Sequence, residues 1–302
     1  MSPFDLRIDV GHPLVRGPLA LYPLFGDGPQ SPAYLPGPVA AAAGSLQVGE
    51  RPAGPAVPEL SVTNTGTQPV LLIDGESFVG GWQNRTFNVT ALVAAGSTVA
   101  VPVSCVEQGR WGGAPEGARR GAMAPAALRA RSHRGVAAGV LGGSKSRRAD
   151  QGDVWSAVRE YSDRFEVHAP TGALADVQQA RQGEVMSMVA GTSALSGQRG
   201  VAVAVGGRVT SIDLFDRDAT MAAYWDSLVR AYALDAVGLS GDAVPPGRKA
   251  VLEAFETLRV ARTRTVAGVG LGHEIHATGP GVTAGALVWD YVCVHLAVHC
   301  AA

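Results

Sequence analysis

The densest chemistry in this 302-residue chain lies between Gly75 and Trp111. One cluster is Gly75-Glu76 followed by Gly80-Gly81-Trp82-Gln83-Asn84-Arg85, and the other runs Ser104-Cys105-Val106-Glu107-Gln108-Gly109-Arg110-Trp111. Arg85 and Arg110 carry permanent charge on planar donor forks, and two such forks on one pocket suit a phosphate or a carboxylate. Gln83 and Asn84 both donate and accept, which suits sugar hydroxyls or a base edge. Trp82 and Trp111 offer flat faces for stacking. Glu76 and Glu107 can pair the arginines, hold hydroxyls or serve as a general base. This inventory points to a nucleotide-like anion. The same residues also admit a structural reading: Arg–Glu pairs tie loops together, tryptophans pack, and Gly80-Gly81 makes a bulge.

Cys105 is a third catalytic candidate. A thiolate nucleophile needs a base and a positive field, and Arg110 can supply the field, with His273 or His276 as the base. Packing is the competing role, because free cysteine is commonly a small buried apolar residue. Further on, Tyr291-Val-Cys-Val-His-Leu-Ala-Val-His299 alternates with period two, placing Cys293, His295 and His299 on one face. Neighbours on such a face sit ~7 Å apart, and the spacing fits no metal-ligand pattern. The expectation is a polar sheet face with no metal and no cofactor. Gly268-Val-Gly270-Leu-Gly272 is followed by no helical pattern, so a dinucleotide-binding turn is not expected.

These candidates sit at the ends of apolar strands, as in a sheet that presents chemistry on its loops. Leu60-Ser-Val-Thr, Pro69–Ile73, Phe87–Val93 and Val99–Val103 read as strands, with Pro102 demoting the last to an edge strand or marking its end. The hairpin Thr86–Val103 is expected to bring Gln83-Asn84-Arg85 and Cys105–Trp111 to one rim. Residues 112–150 carry eight Arg or Lys residues against Glu116 and Asp150, amid glycine, alanine and serine. They read as a solvated basic loop, or as a flap over an anionic ligand. Helices are expected from about 153 (capped by Asp153), over 173–190, from Asp218 through Tyr232, and after Pro245-Pro246. Gly200–Val205 and Arg208–Phe215 form a hairpin about Gly206-Gly207, and strands close the chain from about 262 to 299. The expected fold is therefore α+β and mainly antiparallel. It has a sandwich-like N-terminal half, a C-terminal strand meander and several helices between residues 115 and 260. The expected domain is one, spanning 1–302: β-rich to 111, a basic loop to 150, then helices and strands.

With 46% hydrophobic residues the chain can bury a large core, and its net charge of −1 offers no global field toward nucleic acid or membrane. Three cysteines without a close pair argue against a disulfide framework. The charged N-terminus lacks the apolar core of a signal peptide, and no run of about 18 apolar residues reads as a membrane span. A cytoplasmic protein is expected, with its oligomeric state open.

Several blocks together carry a resemblance: Gly75-Glu76 to Arg85, Val101 to Trp111, Gln151 with Val154-Trp155, and Ile212–Phe215 through Trp225 to Ala231–Ala236. Over most of residues 45–300 the chain resembles the prokaryotic ADP-ribosylglycohydrolase- and rhodanese-phosphatase-associated protein domain family. The motif positions map onto Gln83, Asn84, Arg85, Cys105, Glu107, Arg110 and Trp111. The family is named for its gene neighbours, which implies work near ADP-ribose or NAD-derived nucleotides. The leading expectation is thus binding or hydrolytic processing of a nucleotide-like anion, held by Gln83, Asn84, Arg85, Arg110 and Trp111. Glu107, Glu76 or Cys105 would supply any catalysis. The alternatives are a non-catalytic interaction module whose polar cluster is structural, and a Cys105-dependent enzyme.

Overall fold

The computed structural model describes residues 4, 6–51, 54, 56, 58–113, 118–239, 241 and 243–301; Glu116 falls outside them. Seven helices occur among these residues: α1 (Gly37–Ala42), α2 (Ala126–Leu141), α3 (Gln151–Arg164), α4 (Leu174–Ala180), α5 (Gln182–Val189), α6 (Asp218–Ala236) and α7 (Arg248–Arg259). The fold is α+β, with most strand pairs antiparallel.

The largest sheet has nine strands. Across it run Asp9–Val10, Leu19–Phe25, Gly200–Val205, Arg208–Phe215, Val292–Cys300, Val282–Trp289, His273–Gly279 and Arg262–Ala267. Leu14–Arg16 also pairs with Leu19–Phe25. The strands before residue 26 thus belong to the same sheet as the C-terminal meander, and not to a separate N-terminal β half. Gly206 and Gly207 both have positive φ (58° and 82°), the two-residue turn whose twist matches a hairpin and which glycine alone adopts freely at both places. One face of the sheet packs on Val251, Phe255 and Leu258 of α7. The other packs beneath α2 and α6, where Leu128, Met221, Tyr224 and Leu228 join Val201, Val203 and Val294.

Two smaller sheets form a sandwich over a shared core. Val70, Leu72, Ala91 and Val93 come from a four-stranded sheet, and Leu60, Val62, Phe78, Phe87, Val101 and Val103 from a six-stranded one. Here two expectations change. Pro102 does not mark an edge. Thr98–Cys105 lies inside the six-stranded sheet and changes partner at the proline, with Thr98–Pro102 pairing with Glu59–Thr63 and Val103–Cys105 with Arg85–Phe87. The missing N–H falls where one ladder ends and the next begins. Residues 86–103 are therefore not one closed hairpin, because Ala91–Val93 leaves to pair with Val70–Leu72.

The basic segment after residue 118 is not a loop either. It contains the strand Arg119–Arg120, which pairs with Phe78–Val79, and the sixteen-residue helix α2. The buried face of α2 is Ala126, Leu128, Arg129, Ser132, His133, Val136, Ala137 and Val140. Its spacing is helical, but Arg129, Ser132 and His133 interrupt it, so no continuous apolar stripe appears in the sequence. Asp150 caps α3, accepting from the N–H groups of Gly152 and Asp153; the expected cap, Asp153, lies in the first turn.

Pro125 precedes α2 and provides no side-chain cap; Asp235 of α6 accepts from the Ala127 N–H instead and takes a hydrogen bond from the Tyr161 hydroxyl. Burial pushes the Asp235 carboxyl up to about 6, despite these donors. The folded chain then holds a proton that the unfolded chain has released, over the interval from about pH 4 to 6. In that interval stability falls as pH rises. Asp235→Asn, which carries no charge to bury, is expected to gain on the wild type as pH rises from about 4 to 6, read from urea midpoints at each pH. A pH-independent difference between the two proteins would contradict this.

Candidate functional site

Arg85 and Cys105 face each other across an antiparallel pair, so the two polar clusters do meet at one rim. Gln151, the first residue of α3, fixes that rim. Its side-chain oxygen accepts from the Cys105 N–H at 2.9 Å and its amide donates to the Cys105 carbonyl at 2.8 Å. Glu107 is the hub of the rim. Its Oε2 accepts from the Asn84 N–H at 3.0 Å and from Arg110 Nη2 at 2.6 Å, and its Oε1 from Arg110 Nε and the Thr171 hydroxyl. Burial raises the carboxyl pKa, but the Arg110 guanidinium, the Asn84 N–H and the Thr171 hydroxyl together hold it below the usual range. Arg110 also donates to the carbonyls of Gly80, Gly81 and Gly112 and to Asn84 Oδ1. Three carbonyls, an amide and a carboxylate thus engage all of its nitrogens. This is the geometry of a loop tie, with no donor left over for an anion.

Arg85 differs. Its side chain is fully buried, Nη1 donates to Gln83 Oε1 at 2.8 Å, and Nε and Nη2 have no hydrogen-bond partner. Burial lowers its pKa, with Cys105 and Glu50 acting against that shift. Trp111, half exposed, lies over the guanidinium at 5.8 Å and meets Trp82 edge-on at 5.4 Å. Cys105 is completely buried, and its Sγ lies 3.2 Å from the Glu107 carbonyl. Of the suggested bases, His276 is bonded to Glu274, and among the described residues no histidine is hydrogen-bonded to Cys105.

Glu76 connects this stretch to a cavity one strand away. Its Oε1 accepts from the Tyr224 hydroxyl and the Ile73 N–H, and its Oε2 from Arg120. Held so, and lying 5.8 Å from the Tyr224 ring, Arg120 lines a cavity of about 410 Å³. The walls come from Arg119–Met123, from Gln178 and Gln179 of α4, from Gln182 and Met186 of α5, and from Asp226, Arg230 and Leu234 of α6. Three guanidinium groups and three amides face one carboxylate, Asp226, which is paired with Arg230 at 2.8 Å. Among the described residues no acid pairs with Arg119. None of Gln83, Asn84, Arg85, Glu107, Arg110 and Trp111 lines this cavity, and Glu76 reaches it only through Arg120. Sequence reading missed these residues because they come from four separate segments. The signal available was the Arg119-Arg120 pair beside the glutamine-rich 178–182 stretch.

A second polar cluster is buried between α2 and the nine-stranded sheet. Arg129 makes a two-pronged bond to Asp213 (3.0 and 2.8 Å) and a 3.1 Å bond to Asp74. Asp213 also accepts from the Tyr232 hydroxyl, and His295 bridges Asp213 (3.0 Å) and Thr90 (2.8 Å). Burial raises both carboxyls, but Arg129 above all holds them below the usual range. His133 of α2 lies on His299, ring centroids 5.0 Å apart. Burial pushes His133 down to about 4 and His299 well below its ordinary value, so both are neutral at neutral pH. The expected grouping of Cys293 with His295 and His299 does not form. Leu287 pairs with His295 while Val288 pairs with Cys293, so Val294 is an extra residue in the strand. This bulge turns Cys293 to the α7 face and leaves the histidines facing α2.

The architecture defines a mixed α+β domain built on a wide antiparallel sheet, with a buried ionic cluster and an arginine-lined cavity. The chain belongs to the ARG and Rhodanese-Phosphatase-superfamily-associated Protein domain family, whose match spans residues 7–299. No curated protein and no solved structure matches it. No helix among the described residues is long and apolar enough to cross a membrane.

Proposed function

We propose that the chain binds a nucleotide-like anion of the ADP-ribose class, and that it does so in the cavity between Arg119–Met123 and helices α4, α5 and α6. The observation that carries this reading is the lining: Arg119, Arg120 and Arg230 with Gln178, Gln179 and Gln182, in about 410 Å³. That volume lies in the range of small-molecule sites. Guanidinium forks suit phosphate oxygens, amides suit ribose or base, and Met123, Val185, Met186 and Leu234 supply an apolar wall. The family's association with ARG proteins supports an ADP-ribose-like ligand.

Binding is favoured over hydrolysis. A hydrolytic step needs a general base, and the one carboxylate among the described lining residues is already paired with Arg230. The interaction-module reading draws support from Arg110, whose donors are all spent inside the protein. The two readings separate in titration calorimetry with ADP-ribose, NAD and AMP. Arg119→Ala and Arg230→Ala are each expected to weaken binding about 10-fold or more, since a charged hydrogen bond contributes roughly 1.5–3 kcal/mol. Arg85→Ala, outside the cavity, is the control. A wild type that binds none of the three, or lining variants that bind as the wild type does, would reject the cavity reading in favour of the interaction module.

A further inference from the structure

The buried cluster beneath α2 has unsatisfied chemistry that the cavity reading does not use. His299 Nδ1 and Nε2 and His133 Nδ1 are buried without hydrogen-bond partners. Buried imidazole nitrogens are ordinarily satisfied, and leaving them bare is costly. One ligand atom each from Asp74, His133 and His299 lie within 4.8 Å of one another. All three residues are at most 3% exposed. The backbone makes room for this meeting. A Cβ at Gly285 would lie 2.3 Å from His133 Cε1, so glycine lets the His133 ring settle onto the sheet beside His299.

Charge points the same way. Asp74 and Asp213 are two buried carboxyl groups set against the single guanidinium of Arg129. Glu274 nearby is already matched by Arg147 at 3.3 Å. A cation at Asp74 would match the second carboxyl. Arg129 bonds Asp74 through Oδ2. Oδ2 is also the oxygen that lies 3.9 Å from His299 Nε2, while Oδ1 lies 3.4 Å from the Thr90 hydroxyl and 3.9 Å from His295 Nδ1, so a cation beside His299 would share Oδ2 with Arg129.

We propose that Asp74, His133 and His299 form a binding site for a divalent first-row transition metal ion, zinc being the best fit to two imidazoles and one carboxylate. A point central to the three ligand atoms lies ~2.8 Å or less from each, and small side-chain rotations bring it to the ~2.0–2.2 Å of zinc ligation. A nitrogen-rich set disfavours calcium and magnesium, which take oxygen ligands. The Asp74 carboxylate, shared with Arg129, is held in place from outside the site in the manner of outer partners that orient metal ligands. Ser211, whose hydroxyl is unpartnered, sits opposite His299 in the strand register. With all three ligands buried, the ion would enter as the chain folds, tying α2 and the Asp74–Glu76 turn to the sheet. The site is independent of the arginine-lined cavity.

The test is to refold the full-length protein with excess Zn²⁺ or Co²⁺, desalt it and measure metal content, the Co²⁺ ligand-field absorption and Tm. About one equivalent per chain, a Co²⁺ spectrum of nitrogen and oxygen ligation, and a Tm above that of protein refolded with a chelator are expected. Ca²⁺ is expected to change nothing. His133→Gln, His299→Gln and Asp74→Asn should each retain below about a tenth of an equivalent, while His168→Gln, an exposed histidine, should retain it all. The proposal is overturned if wild type takes up less than about a tenth of an equivalent, a measurement that stands even if a variant fails to fold. It is equally overturned if folded His133→Gln and His299→Gln keep a full equivalent.

Discussion

Arg129→Met is expected to lower the unfolding free energy by about 3–5 kcal/mol, the range for removing one partner of a buried ion pair. The Arg129 side chain is 1% exposed and stands between Asp74 (4%) and Asp213 (0%). Methionine fills much of the space but leaves two buried carboxylates facing each other, Asp213 keeping only Tyr232 and His295. Arg129→Lys should recover a part of the loss, since an ammonium keeps the charge but cannot reproduce the two-pronged bond to Asp213 while reaching Asp74. Adding Asp213→Asn to Arg129→Met removes the orphaned charge and should return part of the stability, measurable as a coupling in a double-mutant cycle. Urea unfolding reads all five proteins, Asp213→Asn alone completing the cycle. An Arg129→Met protein within about 1 kcal/mol of wild type would show that the cluster does not hold α2 to the sheet.

Arg110→Ala is expected to cost about 2–4 kcal/mol and to leave anion affinity unchanged. The substitution strips Glu107, 6% exposed, of its charged partner, and frees the Gly80, Gly81 and Gly112 carbonyls. Losing charged hydrogen bonds to a buried carboxylate sets that magnitude. Arg110 itself is 28% exposed, so water takes up some of the freed groups and places the effect below that of Arg129. Thermal unfolding and calorimetry on one preparation settle the division. A drop in ADP-ribose affinity with no drop in Tm would return Arg110 to the ligand and refute its role as a tie.

The contrast between these arginines shows what a sequence can display. Period-two alternation and a Gly-Gly turn fix the 200–215 hairpin locally, so both strands and their turn were legible. The meeting of Arg85 with Cys105 was legible too, because turn signals near residue 95 fold the strands back. Function was harder to read because Arg85, Arg110, Arg120 and Arg129 look alike in sequence while their surroundings differ. Arg110 is saturated by carbonyls, Arg120 is aimed into a cavity by Glu76, and Arg129 is sunk in a core. Those surroundings depend on partners 30 to 84 residues away. Helix α2 was hidden for a related reason: Arg129, Ser132 and His133 occupy the positions where an apolar stripe would have announced it. The bulge at Val294 has no marker in Val-Cys-Val-His, yet by one residue it decides which side chains share a face.

The position of Val292–Cys300 has a consequence for how the chain assembles. This strand lies in the middle of the nine-stranded sheet, between Arg208–Phe215 and Val282–Trp289. During synthesis Arg208–Phe215 emerges long before it and presents an unpaired edge, whereas Val282–Trp289 directly precedes it as the other arm of a hairpin. The pairings of Arg208–Phe215 with Val292–Cys300 span 80 (Phe215 to His295) to 88 (Ser211 to His299) residues, so the sheet closes late and slowly. Until it does, two long strand edges stand open to pairing with other chains. The same strand delivers His295 to Asp213 and His299 to His133, so completing the sheet and assembling the buried cluster are a single event. A nascent chain short of residue 292 is thus open along its centre, the state in which this protein is most exposed to aggregation.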